Sequence, residues 1–316
     1  MERIKKEDLL RILWEAGDGF VSGSDLAHRL GVSRTAVWKG IGQLREEGYA
    51  LESVTNRGYR LLPRGDVLSA EGIRRHLRHT QLQIEYSPSV TSTNTLLKTR
   101  AAQGAPHGLV LAAAHQTQGR GRMGRTFYSP ADTGLYMSIL IAPPENTDAG
   151  KITVLAAVAV CRAIHGMTGL QPKIKWVNDL FLRGKKVCGI LAERIDEGVI
   201  VGIGVNLKTP LGGFPPEAGV AGALDADVDR FALAGTIARY FLEGMERLDT
   251  DDAITYYRAH MPLIGKEIRY QKDGQEKSAR VTGVSDDGGL MIQDDAGDHL
   301  LRTGEVSLGS RGFEGL

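Results

Sequence analysis

One stretch, residues 116–125, limits the folds open to this chain more than any other. It reads QTQGRGRMGR and interleaves three glycines with three arginines. Gly119, Gly121 and Gly124 match the G-x-G-x-x-G spacing of a dinucleotide-binding loop, but that fingerprint must open a helix. Residues 126–130 read TFYSP, a poor helix start, and no acidic residue ends a following strand at the usual distance. The context therefore excludes a Rossmann dinucleotide-binding unit.

The same stretch favours an anion-binding loop. Glycine lets a backbone approach a ligand closely and offer its N–H groups. Arginine supplies a permanent charge and paired donors that suit phosphate or carboxylate. A single arginine here would be ordinary surface charge. Because Arg120, Arg122 and Arg125 fall together beside a predicted strand end, a phosphoryl-binding loop is the better interpretation.

Three further segments add polar groups to apolar strands. Residues 175–180 (KWVNDL) hold a cation, an amide and a carboxylate within one turn-like step. Residues 185–193 (KKVCGILAE) place two lysines at the start of an apolar strand. Residues 202–206 (GIGVN) leave one strand face free of bulky side chains, which lets a ligand lie against the backbone.

Length and charge set the remaining limits. The chain has 316 residues, which is longer than a domain with a single hydrophobic core usually is, so we predict two or three domains. With 39 Lys and Arg against 38 Asp and Glu, bulk charge does not drive nucleic-acid binding, although a local basic patch is not excluded. Two cysteines exclude a disulfide framework. There is no apolar signal at the N-terminus, and residues 152–163 are too short to cross a bilayer, so we expect a cytoplasmic protein without a membrane partner.

The N-terminal segment predicts helices followed by a hairpin. Apolar residues recur at helical spacing over residues 9–14, before a glycine-containing stop. A second helix is expected to begin at Ser24 and a third at Ser33, with a break at Gly31. An alternating segment around residues 55–58 (TNRG) predicts a β-hairpin wing. Helix, tight turn, helix and wing indicate a winged helix-turn-helix.

The third helix has a face suited to DNA. Val37, Ile41 and Leu44 form a core-facing stripe, which turns Thr35 and Lys39 away from the core. Such a helix fits a major groove, and the wing adds cations. The predicted DNA contacts are Ser33, Arg34, Thr35, Trp38, Lys39 and Arg57. The alternative is a protein-interaction module in which Trp38 is a core-edge residue.

The rest of the chain divides into two parts. Over residues 67–260, strands are predicted at 81–86, 108–114, 135–142, 187–192 and 199–205, and helices at 70–77, 94–102, 152–165, 230–248 and 252–260. Several strands follow each other directly, which favours a mixed sheet with helices on one face. From residue 262, short strands between turn signals predict a small all-β barrel.

Together these motifs resemble one family, the bifunctional biotin–protein ligases that also repress the biotin operon. The resemblance is carried, in the family's order, by residues 92–94, Gln116 with 119–125, 175–180, 186–193 and 202–206. It covers essentially the whole chain. It implies an α+β multidomain protein: a winged helix-turn-helix at 1–65, a biotin/lipoate ligase domain at 66–261 whose mixed sheet and helices are like those of class II aminoacyl-tRNA synthetases, and a small SH3-like β-barrel at 262–316.

The resemblance also implies a two-step reaction. The family activates biotin with MgATP to biotinyl-5′-adenylate and pyrophosphate. It then transfers biotin to one lysine of a carrier protein, the biotin carboxyl carrier domain of acetyl-CoA carboxylase. Mg²⁺ is the implied cofactor. Operator DNA and a second copy of the chain, in a homodimer promoted by the adenylate, are further implied partners.

The family's residue roles fall on matching positions of this chain. Lys186, Arg122 and Asp179 are the implied catalytic residues, and Asp179 is also the implied Mg²⁺ ligand. Implied biotin contacts are Ser92, Thr93, Asn94, Gln116, Gly119, Arg120, Gly121, Arg122, Lys186, Gly189 and Gly204. Implied ATP or adenylate contacts are Arg120, Arg122, Arg125, Phe127, Lys175, Trp176, Asn178, Asp179 and Asn206. Within these sets Gly204 would line biotin's bicycle and Phe127 would help cover adenine.

One departure and several alternatives accompany this interpretation. Val177 stands where the family usually has proline, so the turn loses a fixed φ angle. Lys186 as a strand-edge solubility residue, and Asp179 as an ordinary turn residue, are the structural alternatives. Two other functions stay open: a biotin-sensing repressor that has lost turnover, and a lipoate–protein ligase of related fold.

Overall fold

The computed structural model describes residues 5–17, 19–46, 49–62, 73, 83–145, 147–248, 250–272 and 274–308. They form an N-terminal helical unit with a hairpin, a central seven-stranded sheet with helices, and a C-terminal five-stranded sheet. The predicted helix at residues 70–77, apart from residue 73, and the predicted domain boundary after residue 65 lie outside the described residues.

The N-terminal unit has the predicted sequence of helix, tight turn, helix and wing. Its helices are α1 (Lys6–Glu15), α2 (Gly23–Leu30) and α3 (Arg34–Glu46), and its hairpin pairs β1 (Leu51–Val54) with β2 (Gly58–Leu61). Val37, Ile41 and Leu44 of α3 are buried, as the stripe predicts. The opposite face of α3 is therefore left to solvent.

Serine caps set the starts of two of these helices. Ser33 Oγ accepts a backbone N–H in the first turn of α3 at 3.1 Å, as predicted. The predicted start of α2 was wrong, because the cap is Ser22 and not Ser24. Ser22 Oγ accepts from Asp25 N at 3.0 Å. Gly31, with a φ of +64°, ends α2 in the left-handed region that favours glycine.

The central unit is built on a mixed sheet. Its strands are β3 (Ile84–Ser87), β4 (Val110–Ala113), β5 (Gly134–Ile141), β6 (Lys173–Lys175), β7 (Asp179–Leu182), β8 (Lys185–Ile195) and β9 (Gly198–Asn206). Their order is β3-β4-β5-β9-β8-β7-β6, with β3 and β4 parallel and all other neighbours antiparallel. The sequence missed β6 and β7, since three and four residues carry too little periodicity to predict a strand.

Helices cover both faces of this sheet, which corrects the prediction that they lie on one face. Helix α4 (Thr93–Ala102) packs Leu97 into a small cluster with Leu111, Leu140 and Ile200. The alternate residues of the same strands face the main core, which includes helices α5 (Ala149–Thr168), α6 (Arg230–Met245) and α7 (Asp252–His260). Alternation of side chains along each strand therefore divides the unit into two apolar layers.

Helix α5 is the most apolar helix. Its 20 residues make it the one described helix that is long and apolar enough to cross a membrane. The apolar stretch at residues 152–163 is the middle of this longer helix. Its burial makes it a core helix, because 67% of its most apolar stretch lies inside the protein. It is the central helix of the main core.

The C-terminal unit is an antiparallel sheet. Its strands β10 (Glu267–Lys272), β11 (Gln275–Val284), β12 (Leu290–Asp294), β13 (Gly297–Leu301) and β14 (Val306–Ser307) are ordered β13-β12-β11-β10-β14. The all-β prediction for this segment is confirmed. Closure of the sheet into an SH3-like barrel stays a prediction.

The turn between β11 and β12 fixes the C-terminal sheet to the central unit. Trp176 Nε1 donates to Gly288 O at 2.9 Å. Arg302 forms ion pairs with both Asp148, at 3.1 Å, and Asp287. Because Asp148 also caps α5, the sheet is held at the N-terminus of the central core helix.

Candidate active site

A cleft of about 600 Å³ lies where the central sheet meets the start of α4 and the C-terminal sheet. Its lining comes from the start of α4, the glycine–arginine loop with its continuation to residue 128, the turn before β7, strands β8 and β9, residues 214–221 and residues 304–306. Segments distant in sequence thus make one site.

Glycines of β8 and β9 form the floor of the cleft. A Cβ on Gly204 would lie 2.5 Å from the ring of Phe127, and one on Gly189 would lie 3.0 Å from the same ring. A Cβ on Gly202 would lie 2.1 Å from Asn94 Oδ1. Larger residues are excluded at these positions, so the strand face that the sequence predicted to be bare is bare.

The start of α4 gives the cleft a polar end, formed by Ser92, Thr93, Asn94 and Gln116. Ser92 Oγ caps the helix, and Thr93 N donates to Gln116 Oε1 at 2.8 Å. Gln116 Nε2 in turn donates to Ser129 Oγ at 2.9 Å. The first three residues are buried although they line the cleft. This end is therefore hydrogen-bonded in place and suits a neutral polar group.

The glycine–arginine loop forms another wall of the cleft. Arg120 pairs with Thr126 in an isolated antiparallel bridge, which closes the residues between them into a tight loop. Within it Met123 has a φ of +56° and is 75% exposed. The loop therefore has little packing of its own, in contrast with the polar end.

Two arginines of this loop contact the C-terminal sheet. Arg122 Nη1 donates to Asn178 Oδ1 at 3.2 Å and to Gly304 O at 3.3 Å. Arg125 forms two contacts of 2.6 Å with the carboxylate of Glu305. The exposed Arg125–Glu305 pair contributes about 1 kcal/mol or less, so an incoming anion can replace it.

A lysine–aspartate pair lies at the centre of the cleft. Lys186 Nζ on β8 is 2.7 Å from Asp179 Oδ1 on β7, as an ion pair rather than an aligned hydrogen bond. Lys175 lines the same wall, and burial lowers its pKa against the opposing charges of Asp179 and Glu305. With the three loop arginines, these cations make a site that can bind two anionic groups side by side.

Neighbouring elements hold the turn before β7 from both sides. The Trp176–Val177 peptide bond is cis. Tyr257 Oη donates to Val177 O at 3.1 Å. Asn178 Nδ2 donates to Ile190 O at 2.7 Å, and Ile190 N donates to Asn178 O at 2.9 Å. The valine in place of the family's proline therefore leaves Asn178 at the cleft.

Nearly all the predicted biotin and ATP contacts line this cleft. The exception is Gly119, where a Cβ would lie 2.3 Å from Phe127 O, so this glycine shapes the loop instead. The ring of Phe127 lies on the glycine floor and packs edge-on against Tyr136, with centroids 6.4 Å apart. The role predicted for Phe127, to help cover adenine, stays a prediction.

Sequence reasoning missed two segments of the lining. Residues 214–221 lie against strand β8, where Lys186 N donates a hydrogen bond to Val220 O at 2.9 Å. The only local signal was the Gly212–Gly213 pair that precedes them, both with positive φ. Residues 304–306 gave no signal, since they belong to a different predicted domain.

The predicted DNA face of α3 is exposed. Arg34, Thr35 and Lys39 are all exposed, and Trp38 is 66% exposed, which excludes the alternative that Trp38 is a core-edge residue. In the wing, the guanidinium of Arg57 lies 4.4 Å from the centre of the Phe20 ring. Contact of these residues with DNA stays a prediction.

A magnesium ion fits the cleft only in company with substrate phosphates. Among the described residues no three His, Cys, Asp or Glu side chains gather as a metal cluster. Mg²⁺ usually keeps several waters and binds one or two carboxylates together with phosphate oxygens. Asp179 offers one such carboxylate beside the cations that would face phosphates, so the residues present fit that mode.

Family models match all three units. Residues 86–209 match the biotin/lipoate A/B protein ligase family, residues 5–60 match a helix-turn-helix domain, and residues 263–309 match the biotin protein ligase C-terminal domain. Their order agrees with the three units of the structure.

Individual relatives span the whole chain. The bifunctional ligase/repressor BirA of Bacillus spizizenii is 33% identical over 98% of this chain and 100% of its own length. That of Escherichia coli is 26% identical over 93% of this chain and 95% of its own. The solved biotin protein ligase of Aquifex aeolicus, in complex with biotin and ATP, has a TM-score of 0.63 at 26% identity, covering 71% of this chain and 97% of that one. The chain therefore belongs to the biotin protein ligases, in the family of bifunctional ligase/repressor proteins.

Proposed function

We propose that this chain activates biotin with ATP to biotinyl-5′-adenylate and then transfers biotin to a lysine of a carrier protein, and that it represses transcription in response to biotin. The observation that carries the proposal is the arrangement of Lys186 and the three loop arginines around an uncharged glycine floor that ends in hydroxyl and amide groups. A ligand with a neutral polar ring and an anionic tail fits this arrangement, with its ring at the uncharged polar end and its tail toward the cations.

In the first step the biotin carboxylate attacks the α-phosphorus of ATP. A carboxylate–phosphorus bond forms, the bond to the β-phosphate breaks, and pyrophosphate leaves with its electron pair. Lys186 lies at the centre of the cleft and would neutralise both anions as they meet, an interaction that strengthens as negative charge develops on the phosphoryl oxygens. No general base is needed, because the attacking carboxylate is already ionised.

In the second step the carrier lysine attacks the acyl carbon and displaces AMP. The amine loses a proton as the amide forms, and Asp179 is the carboxylate placed to accept or position it. Arg122 and Arg125 would exchange their contacts with the C-terminal sheet for the phosphates and cover the adenylate. Covering it keeps water from the mixed anhydride until the carrier arrives.

Magnesium would be held by Asp179 together with the phosphates, and it supplies charge neutralisation on them. The remaining partners follow from family membership. We propose the biotin carboxyl carrier domain as acceptor, operator DNA as ligand of the exposed face of α3, and a homodimer promoted by biotinyl-5′-adenylate. A two-fold dimer suits a two-fold operator. ATP, carrier and operator are all cytoplasmic, which is where we propose the chain acts.

One experiment tests the enzymatic part. The chain is incubated with biotin, ATP, magnesium and a carrier domain, with lipoic acid in place of biotin in a parallel sample. We expect a covalent mass gain on the carrier in the sample with biotin and none in the sample with lipoic acid. A gain only with lipoic acid, or none in either sample, would overturn the proposal. Sedimentation with and without biotin and ATP then tests the repressor part, where an unchanging monomer would contradict ligand-linked dimerisation.

A further inference from the structure

A continuous set of hydrogen-bonded side chains runs beneath the polar end of the cleft, from Thr93 to Glu193 on β8. Ser138 Oγ lies 2.7 Å from Thr93 Oγ1 and 2.6 Å from Asn94 Oδ1. Asn94 Nδ2 donates to Glu193 Oε2 at 2.8 Å. Ser138 is fully buried and Thr93 and Asn94 nearly so, so the direction of each bond is decided inside this set.

Counting protons gives each bond its direction. An ionised carboxylate only accepts, so Glu193, at 2.8 Å, turns the amide nitrogen of Asn94 toward itself and the amide oxygen toward Ser138. The carbonyl of Leu191 accepts from the same nitrogen at the longer distance of 3.3 Å.

The amide oxygen of Asn94 also only accepts, so the single Ser138 proton points to it. Ser138 Oγ must then accept from the Thr93 hydroxyl at 2.7 Å, and Gln116 Oε1, at 3.2 Å, is a second and more distant acceptor of the same proton. The Thr93 hydroxyl, which lines the cleft, is left with only its lone pairs to offer a ligand.

The surroundings of Glu193 keep it ionised. Its side chain is 18% exposed, Lys98 Nζ lies 2.7 Å from Oε1, and Arg120 Nη2 lies 3.8 Å from the same oxygen. Burial alone would raise the pKa of Glu193. The hydrogen bonds from Lys98 and Asn94 and the charges of Lys98 and Arg120 outweigh burial, and the pKa lies below its ordinary value.

We propose that Glu193 is a positioning residue that sets the direction of hydrogen bonding at the polar end, and so presents the Thr93 hydroxyl to the ligand as an acceptor. This inference rests on the proposed function, because a cyclic urea such as that of biotin offers two N–H donors. An acceptor at Thr93 suits one of them. The same hydroxyl would oppose an analogue with a ring oxygen at that position.

The test uses Glu193→Gln, which keeps the size of the side chain. A glutamine can donate as well as accept, so it permits Asn94 to turn over and releases the Thr93 proton from Ser138. The ligand then competes for that proton only with the more distant Gln116 Oε1, at 3.2 Å.

The matched control is Glu85→Gln. Glu85 also pairs with a cation of α4, Arg100 at 2.8 Å, but it lies outside the cleft lining.

The measurement is biotin-dependent ATP–pyrophosphate exchange, with biotin and with the two carbamate isomers in which one urea N–H is replaced by a ring oxygen. For Glu193→Gln we expect the KM for biotin to rise roughly tenfold with kcat within about threefold. We expect the preference for biotin over one carbamate isomer to fall by roughly tenfold. Glu85→Gln should match the unmodified protein in both respects.

A second variant guards against misfolding and tests the route. Ser138→Ala removes the nearer acceptor of the Thr93 proton without touching Glu193, so it should lower the same preference. Because both changes act through one set of hydrogen bonds, the double variant should lose no more selectivity than the stronger single variant. Additive losses would contradict a shared route.

The outcomes separate the two proposals. If the unmodified protein shows no exchange with biotin, the proposed function fails. If it shows exchange, but Glu193→Gln and Ser138→Ala keep its full preference for biotin over both carbamates, the role of Glu193 fails alone. Equal selectivity losses in Glu85→Gln and Glu193→Gln would also overturn it, because the effect would then follow from charge and not from hydrogen-bond direction.

Discussion

The polar end of the cleft and the glycine–arginine loop handle the same ligand in opposite ways. At the polar end, Thr93 and Asn94 are 4% and 3% exposed and are hydrogen-bonded to neighbours from other elements. In the loop, Arg125 has 67% of its side chain exposed and is held by one carboxylate of the C-terminal sheet.

The difference indicates that one part of the site is built before the ligand arrives and the other is completed by it. Buried polar groups must find partners within the fold, so their geometry is set during folding. Exposed ion pairs contribute little and exchange readily, so the loop can reorganise around phosphates. We therefore propose that recognition of the biotin ring depends on the polar end, and that protection of the adenylate depends on the loop.

The largest expected effect lies where the two parts meet, at Lys186. We expect Lys186→Ala to lower single-turnover adenylate formation at least about a hundredfold, which is about 2.7 kcal/mol of transition-state stabilisation, while biotin still binds. Lys185→Ala is the matched control, because its side chain is the exposed neighbour on the same strand. Near-normal adenylation by the Lys186 variant would remove the lysine from the reaction.

The next effect tests the loop as a cover. We expect Arg122→Gly to release the adenylate roughly tenfold faster, because the loop loses its contacts with Asn178 and Gly304 and with the phosphates. Released adenylate is measured by its reaction with bystander lysines. Arg122→Lys keeps the charge but not the paired donors, so its release rate should lie between those of the unmodified protein and Arg122→Gly. An unchanged release rate would show that the loop does not retain the intermediate.

A third pair of variants tests the division directly. Gln116→Ala should raise the KM for biotin roughly tenfold and leave the KM for ATP unchanged, since a buried hydrogen-bond partner is lost. Arg125→Ala should raise the KM for ATP about threefold and leave the KM for biotin unchanged, because the charge that is lost is exposed. If either variant moves both constants together, the two parts are not separate.

The smallest effect concerns pH. Because the pKa of Glu193 lies below its ordinary value of 4.5, the carboxylate stays ionised from neutrality down to about pH 5 and its contribution is lost only at lower pH. Binding of the uncharged amide of biotin, measured by calorimetry, should therefore stay constant over that range. Weakening between about pH 7 and pH 5 would place the pKa of Glu193 above its ordinary value and contradict the ionised acceptor.

Local patterns in the sequence predicted the segments that can be recognised one at a time. The stripe of Val37, Ile41 and Leu44 and the cap at Ser33 depend on neighbours within one helix, so α3 was placed correctly. The cap of α2 was misplaced by two residues because Ser22 and Ser24 both suit that position. Short β6 and β7 were missed for lack of periodicity.

The candidate site divides in the same way. Its chemical groups were predicted because glycine, arginine, lysine and aspartate in short motifs have few other uses together. Their partners were not, because residues 214–221, Gly304 and Glu305 reach the cleft only through folding. The floor position of Phe127 likewise depends on glycines from two strands.

The sequence by itself determined the winged N-terminal unit, the anion-binding loop and the central lysine, since each is encoded by residues close together in the chain. Only the tertiary structure decided which hydroxyl donates and which accepts at the polar end, and which carbonyl and carboxylate hold the arginines. The physical reason is that a hydrogen bond or ion pair takes its direction and strength from both partners. In this cleft the partners come from strands, helices and loops far apart in the chain.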